Sequence, residues 1–326
     1  MTGPHPATAA IRVAVRAALA ECDPGDLVLV ACSGGADSLA LAAAVAFEAP
    51  KIAVQVGGVV VDHGLQPDST SVASTVGDRL RELELDPVEV TTVAVTSTAD
   101  GLEAAARDAR YAALEVAADR HGARFVLLGH TLDDQAEQVL LGLTRGAGAR
   151  SLAGMPRARD RYRRPLLAVS REQTRASCEA EGLTWWDDPM NEDPAFTRVR
   201  ARRALVDLER DLGPGVAAAL ARTADQLRED ADHLDSLAEA AVVSLGADPW
   251  PVEDLLGLPR PVRTRVWRRL AVAAGAPAGQ VSTRHTEACD ALLTRWHGQG
   301  PVNLPGSLLV TRSEGRVSIA ASPRVE

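Results

Sequence analysis

The stretch that decides the fold is LVLVACSGGADS, which runs from Leu27 to Ser38. Its first half, Leu27–Cys32, is apolar and rich in Val and Leu, which predicts a buried strand. Its second half holds two adjacent glycines between serines, and an Ala- and Leu-rich helix is predicted to follow over Ser38–Phe47. A strand that turns through glycines into a helix presents unpaired N–H groups and the positive end of the helix dipole. The turn therefore predicts a phosphate-binding loop.

The loop differs from the common nucleotide-binding fingerprints. It has neither the lysine of a G-x-x-x-x-G-K-[ST] loop nor the spacing of G-x-G-x-x-G. Asp37 would repel phosphate unless a cation lay between them, so it predicts a Mg²⁺ ion beside the bound phosphate. A plain strand-to-helix turn is the alternative. The predicted nucleotide-binding residues of the loop are Ser33, Gly34, Gly35, Ala36, Asp37 and Ser38, with Asp37 also the predicted metal ligand.

The pattern continues outward from the loop as an alternation of strands and helices. Further strands are predicted over Ile52–Val61, Val88–Val95 and Arg124–Gly129, and further helices over Ser69–Leu85, Leu102–His121 and Leu132–Leu143. This alternation predicts an α/β fold, a parallel sheet with helices on both faces. Ligands of such sheets bind at the carboxyl ends of the strands.

The second half of the chain does not continue this alternation of strands and helices. Residues 145–165 are predicted to form a loop, Thr174–Glu181 a helix and Thr184–Trp186 a short strand. Apolar residues at steps of three and four predict one long helix from Gly215 to Leu245. Helices are predicted around 252–274 and 281–297, then strands near 300–304, 307–312 and 315–320. We therefore expect a catalytic domain at 1–210 and a smaller α+β domain at 211–326, joined through the long helix.

Arginine is distributed unevenly in this acidic chain, whose formal net charge is −9. Residues 145–175 hold nine arginines against Asp160 and Glu172, and residues 258–270 hold five arginines and no acid. Any single run of this kind is commonly a solvated face, but several in one half of the chain favour an anionic partner such as nucleic acid.

Cysteine and hydropathy patterns narrow the class of protein. The four cysteines include no C-x-x-C pair, so ligands for a zinc ribbon or an iron–sulfur cluster are missing. No apolar run approaches the ~20 residues of a membrane span. The N-terminal segment has no signal-peptide pattern. These features predict a cytoplasmic protein with no membrane partner.

The loop resembles the signature of the N-type PP-loop ATP pyrophosphatases, whose fold is adenine nucleotide alpha-hydrolase-like. The resemblance implies cleavage of ATP between its α- and β-phosphates, transfer of AMP to a substrate oxygen, and a pyrophosphate held by the loop. It does not choose among the members of that superfamily.

Other segments resemble one family within it, the tRNA(Ile)-lysidine synthetases. The matching segments are Val61–Leu65 (VDHGL), Glu103–Tyr111 (EAAARDARY), Leu128–Glu137 (LGHTLDDQAE), Arg164–Leu167 (RPLL), Asp188–Asn191 (DPMN) and Thr197–Arg202 (TRVRAR). Departures from the family pattern stand at Gln66, Thr131, Gln138 and Val199. The resemblance implies that ATP and L-lysine convert the wobble cytidine of a tRNA(Ile) with a CAU anticodon to lysidine. Decoding would then switch from AUG to AUA.

Candidate site residues follow from the end of the fourth strand and from the family pattern. His130, Asp133, Asp134 and Glu137 lie beside the predicted loop, where carboxylates can hold a cation or accept an amine proton. By themselves they also fit an ordinary acidic helix start. With the resemblance, the expected catalytic residues are Asp37, Arg110, His130, Asp133 and Asp134. Asp62 and His63 are expected at the nucleotide, and the expected lysine or tRNA contacts are Glu137, Arg145, Arg164, Arg198, Arg200 and Arg202.

Several alternatives stay open. Another PP-loop enzyme is one, although the 2-thiocytidine enzymes need a C-x-x-C pair and NAD synthetase leaves the arginines unexplained. A nucleotide-binding regulator without turnover is another. Trp185 and Trp186 fit either packing or base stacking. Arg263–Arg269 are expected to contact tRNA, and the oligomeric state, a homodimer included, is open.

Overall fold

The computed structural model describes residues 3–64, 68–95, 102–145 and 148–322. Leu65 and Gln66, which belong to the family comparison above, lie outside the described residues. The chain forms two compact units, Met1–Gln226 and Leu227–Glu326. Among the described residues, no helix combines the length and the apolarity that crossing a bilayer requires.

The first unit alternates strands and helices as predicted, after an N-terminal helix that the sequence analysis did not predict. Its elements are α1 (Pro6–Leu19), β1 (Leu27–Ala31), α2 (Ala36–Glu48), β2 (Gln55–Asp62), α3 (Ser69–Glu82), β3 (Val88–Thr92), α4 (Leu102–His121), β4 (Phe125–Leu128), α5 (Leu132–Thr144), α6 (Ala149–Leu152), β5 (Ala158–Arg159), β6 (Tyr162–Arg163), α7 (Arg171–Ala180) and α8 (Thr197–Leu212). Short 3₁₀ turns occur at Ala49–Ile52, Pro165–Ala168 and Pro189–Glu192.

These strands form one six-stranded sheet in the order β3-β2-β1-β4-β6-β5. β1 lies at its centre and pairs in parallel with both β2 and β4, so that Val28 is opposite Val56 on one side and Phe125 on the other. The only antiparallel pair in this described sheet is β5 with β6 at the edge. The carboxyl ends of β1, β2 and β4 therefore meet at one edge, as the sequence predicted.

Successive residues of β1 pack on opposite faces of the sheet, as the two-residue period of a strand requires. Val28 and Val30 belong to a core with α1, α2 and α3, whereas Leu27 and Leu29 pack with Leu114 of α4. All four residues are buried. The predicted α/β class with both faces covered is confirmed.

Two local predictions are wrong. Residues 145–165 are not all loop, because β6 joins the sheet beside β4. Tyr162 of β6 is buried and packs edge-on against the ring of Tyr111 at 4.9 Å, which anchors a strand too short to show a sequence period. Residues 184–186 form no strand; instead the backbone N–H of Trp186 donates to the Gly34 carbonyl at 3.0 Å.

The second unit is the predicted α+β domain. The long helix is α9 (Val216–Leu245), which begins in the first unit and ends in the second. It is followed by β7 (Trp250–Pro251), α10 (Val252–Leu256), α11 (Arg260–Ala273), α12 (Thr283–Thr294), β8 (Val302–Leu304), β9 (Leu308–Ser313) and β10 (Arg316–Ala321). The strands form an antiparallel sheet in the order β7-β10-β9-β8. Trp267 of α11, 1% exposed, lies in the core of this unit.

Candidate active site

The predicted phosphate loop has the backbone that its glycines allow. Gly34 has a φ of 84°, a left-handed conformation that L side chains rarely adopt. A Cβ at Gly34 would also collide with Cγ2 of Val76 in α3. Gly35 is the N-cap of α2, whose first turn supplies N–H groups without intrahelical partners. The loop is therefore open toward an anion at the start of α2.

Ser38 shapes this loop from inside. Its hydroxyl donates to the carbonyl of Gly35 at 2.9 Å and lies 3.2 Å from the backbone N–H of Ser33, which donates to it. The side chain is buried. Ser38 thus holds the two ends of the turn together, and Ser33 is the exposed residue of the pair.

A close contact brings the end of β4 onto the start of α2. A Cβ built on Gly129 would lie 3.1 Å from Cα and from N of Ser38, so only a glycine fits without displacement. His130 and the first turn of α5 follow directly. Gly129 therefore places His130 and the acidic residues at the start of α5 beside the phosphate loop.

Four carboxylates form what we call the acidic cluster: Asp37, Asp133, Asp134 and Glu137. Asp134 caps α5, because its Oδ2 accepts from the backbone N–H and the hydroxyl of Thr131 at 2.8 and 3.1 Å. Burial raises the pKa of Asp134, but the Arg171 guanidinium, His130 and the Thr131 hydrogen bonds outweigh it, so the pKa lies below its usual range. Asp134 is therefore ionised at neutral pH.

Two arginines enter the acidic cluster. Arg171, at the start of α7, donates through Nη2 to Asp134 Oδ1 at 2.9 Å and to Glu137 Oε1 at 3.4 Å. Arg202, on α8, donates through Nε to the same Glu137 oxygen at 2.8 Å. The sequence analysis expected Arg202 at the substrate and counted Arg171 only as part of a basic run. Four carboxylates face two guanidiniums, so the cluster keeps an excess of negative charge.

Glu137 carries the clearest sign of a missing partner. It is 2% exposed, and both arginines approach its Oε1. Its Oε2 is buried and has no hydrogen-bond partner in the structure. A buried carboxylate oxygen left in this state costs free energy that a bound donor would recover.

Asp37 connects the phosphate loop to the acidic cluster. Its Oδ1 accepts from the hydroxyl of Thr174, and its Oδ2 lies 3.6 Å from Nε of Arg171. Burial raises the pKa of Asp37 above its usual value, while Thr174 and Arg171 oppose that shift. No group of three or more His, Cys, Asp or Glu residues in the described part of the chain is arranged to hold a metal by itself. A single carboxylate beside a phosphate loop nevertheless fits Mg²⁺, which proteins commonly bind through one or two carboxylates and substrate phosphates.

His130 is neutral at physiological pH. Burial lowers its pKa to about 4, with Arg164, Arg107 and Arg198 adding to the effect and Asp134 opposing it. Its Nδ1 is buried without a hydrogen-bond partner in the structure. His130 therefore lies between the acidic cluster and a group of arginines, with one ring nitrogen available.

At the end of β2, Asp62 and His63 have different environments. Asp62 is buried, and its oxygens accept from the N–H of Gly64 at 2.9 Å and the hydroxyl of Thr70 at 2.7 Å. It shapes the turn after β2 in the way that Ser38 shapes the phosphate loop. His63 Nε2 accepts from Nε of Arg110 at 3.1 Å. Burial and Arg110 lower the pKa of His63, so its ring is neutral.

The predicted tRNA-binding arginines have different surroundings. Arg164 is 5% exposed and donates to the Pro156 carbonyl at 3.0 Å and the Tyr111 hydroxyl at 3.2 Å. Arg200 folds back on the carbonyl groups of Pro194 and Ala195. Arg145 is exposed at the end of α5, and Arg198 lies on α8 near His130.

The arginines of α11 pair within the second unit. Arg263 donates to both oxygens of Asp290, Arg265 pairs with Asp235 at 2.9 Å, and Arg268 donates to the carbonyl groups of Val281 and Ala278. The arginines that the sequence analysis expected at tRNA therefore make contacts within their own unit, and their contact with tRNA stays a prediction.

Comparisons with known proteins agree with this geometry. The profile of the PP-loop domain matches residues 9–209, and that of the TilS substrate binding domain matches residues 251–318. The U34-tRNA thiolase NcsA from Methanococcus maripaludis has a similar fold, with a TM-score of 0.59 at 18% identity over 68% of this chain and 80% of that one. At this identity the likeness concerns the fold alone.

Two curated relatives are much closer in sequence. The tRNA(Ile)-lysidine synthase of Thermobifida fusca is 54% identical over 98% of this chain and 100% of its own length. That of Streptomyces coelicolor is 53% identical over 97% of this chain and 99% of its own length. With a matching profile over residues 9–209 and relatives of this identity over nearly the full length, the chain belongs to the tRNA(Ile)-lysidine synthase family.

Proposed function

We propose that this protein attaches L-lysine to carbon 2 of the wobble cytidine of tRNA(Ile) with a CAU anticodon, through an adenylated tRNA intermediate. The observation that carries the proposal is the contact of a phosphate loop with an acidic cluster that keeps unpaired negative charge and a partnerless oxygen, Glu137 Oε2. A site of this kind accommodates a triphosphate on one side and an amine on the other.

The reaction has two steps. In the first, the cytidine 2-carbonyl oxygen attacks the α-phosphorus of ATP, and pyrophosphate leaves. In the second, the ε-amine of lysine attacks carbon 2, AMP leaves with that oxygen, and the amine nitrogen loses a proton. Both steps depend on orientation and on stabilised charge more than on a strong base.

The nucleotide side is assigned to the loop residues 33–38 and to the end of β2. The amides at the start of α2 would bind the phosphates, with Ser38 and Asp62 holding the turns in shape. Asp37 would hold Mg²⁺ together with the ATP phosphates, and that ion would neutralise charge on the leaving pyrophosphate. His63, held by Arg110, would contact the nucleotide.

The amine side is assigned to the acidic cluster and His130. Ionised Asp134 and the free oxygen of Glu137 would attract the lysine amine, and a carboxylate there would accept its proton. Neutral His130 would accept or donate a hydrogen bond at the reacting base without adding charge.

The tRNA side is assigned to arginines that differ in their exposure to solvent. Exposed Arg145, with Arg198 and Arg200, would contact phosphates, while buried Arg164 would orient Tyr111 and half-buried Arg202 would orient Glu137. We propose residues 1–210 as the catalytic domain and 211–326 as the tRNA-binding domain, acting in the cytoplasm where tRNA is modified.

Pyrophosphate release from ATP tests the proposal, measured with lysine in the presence and absence of a tRNA(Ile) transcript. We expect release only with the transcript. Release that never depends on tRNA would favour another PP-loop enzyme, and no release at all would favour a nucleotide-binding regulator.

A further inference from the structure

The first turn of α7 contacts every carboxylate of the acidic cluster. Arg171 reaches Asp134 and Glu137 through Nη2, and Asp37 through Nε at 3.6 Å. Its backbone N–H donates to Asp133 Oδ2 at 2.7 Å. A fifth contact comes one turn later, where the Thr174 hydroxyl donates to Asp37 Oδ1.

This turn is held rigidly. A capping box, in which Ser170 and Gln173 exchange hydrogen bonds at 2.9 and 3.2 Å, begins α7. Cys178 of α7 is fully buried in the same core as α1 and α2. The guanidinium of Arg171 is therefore presented to the cluster from a fixed helix, and its planar fork contacts carboxylates on two different elements, α2 and α5.

We propose that Arg171 is a positioning residue that couples the phosphate loop to the amine-binding end of the acidic cluster, an inference that rests on the proposed function. The nucleotide side and the amine side share no other cation that reaches both Asp37 and Glu137 among the described residues. Arg171 fixes the distance between the carboxylate that faces ATP and the carboxylates that face lysine. It also leaves Glu137 Oε2 free, because it approaches only Oε1.

The molecule offers a matched control for this role. Arg12 of α1 is 18% exposed and pairs at 2.6 Å with Glu181, at the opposite end of α7. Arg171 is 20% exposed. Arg12→Ala therefore removes a similar arginine–carboxylate pair from the same helix while leaving the acidic cluster intact.

Steady-state kinetics of lysine transfer to tRNA(Ile) test the proposal. The parental enzyme is compared with Arg171→Ala, Arg171→Lys and Arg12→Ala, each assayed at the same interval below its own Tm. We expect Arg171→Ala to lower kcat about 10²-fold, the cost of misplaced reacting groups. Its KM for lysine should not rise, because the cluster becomes more negative. Arg171→Lys should recover part of the rate, since it restores the charge but not the fork. Free guanidinium at non-denaturing concentration should rescue Arg171→Ala.

The outcomes separate the two claims. A parental enzyme that adds no lysine overturns the proposed function. An active parental enzyme with an unchanged kcat in Arg171→Ala overturns the positioning role, as does a loss that Arg12→Ala reproduces or that appears only as a higher KM for lysine. If Arg171→Ala does not fold, the folded variant Arg171→Lys decides. A parental kcat in Arg171→Lys overturns the positioning role. A reduced kcat in Arg171→Lys, measured without added guanidinium, supports it.

Discussion

Glu137 in the first unit and Asp290 in the second are both buried carboxylates that face arginine, yet their surroundings differ. Both oxygens of Asp290 accept from Arg263, the second at 3.2 Å. Only one oxygen of Glu137 has partners, although two arginines approach it. The pair in the second unit is complete, whereas the pair in the first unit leaves one carboxylate oxygen for the amine that we propose as its ligand. The comparison teaches that arginine beside a buried acid does not by itself define a site, because the same two residue types form a complete pair in one unit and an incomplete one in the other.

The comparison is tested most strongly by the isosteric changes Glu137→Gln and Asp290→Asn. We expect Glu137→Gln to lower kcat/KM for lysine on the order of 10³-fold, because it removes the charge facing the amine. Asp290→Asn should destabilise the second unit by roughly 3 kcal/mol, because it leaves Arg263 buried without a counter-ion. Pyrophosphate release at saturating tRNA measures the first effect and urea unfolding the second. Equal loss of activity in both variants would contradict the distinction.

Asp37→Asn separates the nucleotide side of the site from the amine side. We expect pyrophosphate release to fall by about 10²-fold, since the loop would lose the carboxylate assigned to the cation that neutralises the leaving group. The KM for lysine should stay near the parental value. Release measured over a range of Mg²⁺ concentrations provides the check. A variant with a parental rate and an unaltered Mg²⁺ dependence would remove Asp37 from the site.

The low pKa of His130 predicts a dependence of stability on pH. The folded protein keeps this ring neutral down to about pH 4, whereas the unfolded chain binds the proton near 6.5. The unfolded state therefore binds more protons in that window, and stability falls as the pH is lowered from 6.5 toward 4. Replacement by Gln should remove about 2 kcal/mol of this loss, measured by urea unfolding at pH 7 and pH 4.5. Parallel curves for the parental protein and His130→Gln would show that the ring is not buried as described.

The smallest expected effect concerns tRNA affinity. Arg145 is exposed, so Arg145→Ala should weaken binding of tRNA(Ile) only several-fold, with a slope of log affinity against log salt that is shallower by about one. Arg263→Ala, which removes a buried pair, should leave that slope unchanged. Filter binding at several salt concentrations measures both. A reversed result would assign the RNA contact to the helix α11 instead.

Local features of the site could be predicted from sequence, and long-range ones could not. The loop at 33–38 follows from one strand, two glycines and one helix, all adjacent in the chain. His130 and the acids after β4 meet it because parallel strands end at one edge of a sheet. The family pattern supplied Arg110 and Arg202.

The remaining features depend on contacts between distant residues. Arg171 lies more than 30 positions from the carboxylates of α5 that it binds, as its separations of 37 from Asp134 and 34 from Glu137 show. The sequence likewise did not show the partners of two other arginines. Arg164 is buried against Tyr111, and Arg263 pairs with Asp290. A run of arginines in a sequence records charge, but only the fold shows whether that charge faces solvent, a ligand or an internal acid.

The central claim is that the phosphate loop and the incomplete acidic cluster together add lysine to tRNA. Mass spectrometry of a tRNA(Ile) transcript with a CAU anticodon, after incubation with the enzyme, ATP, Mg²⁺ and isotopically labelled lysine, tests it most directly. We predict a nucleoside heavier by one labelled lysine less water, located at the wobble cytidine and absent when ATP is omitted. An unmodified wobble cytidine, in a reaction where the enzyme still consumes ATP, would contradict the account.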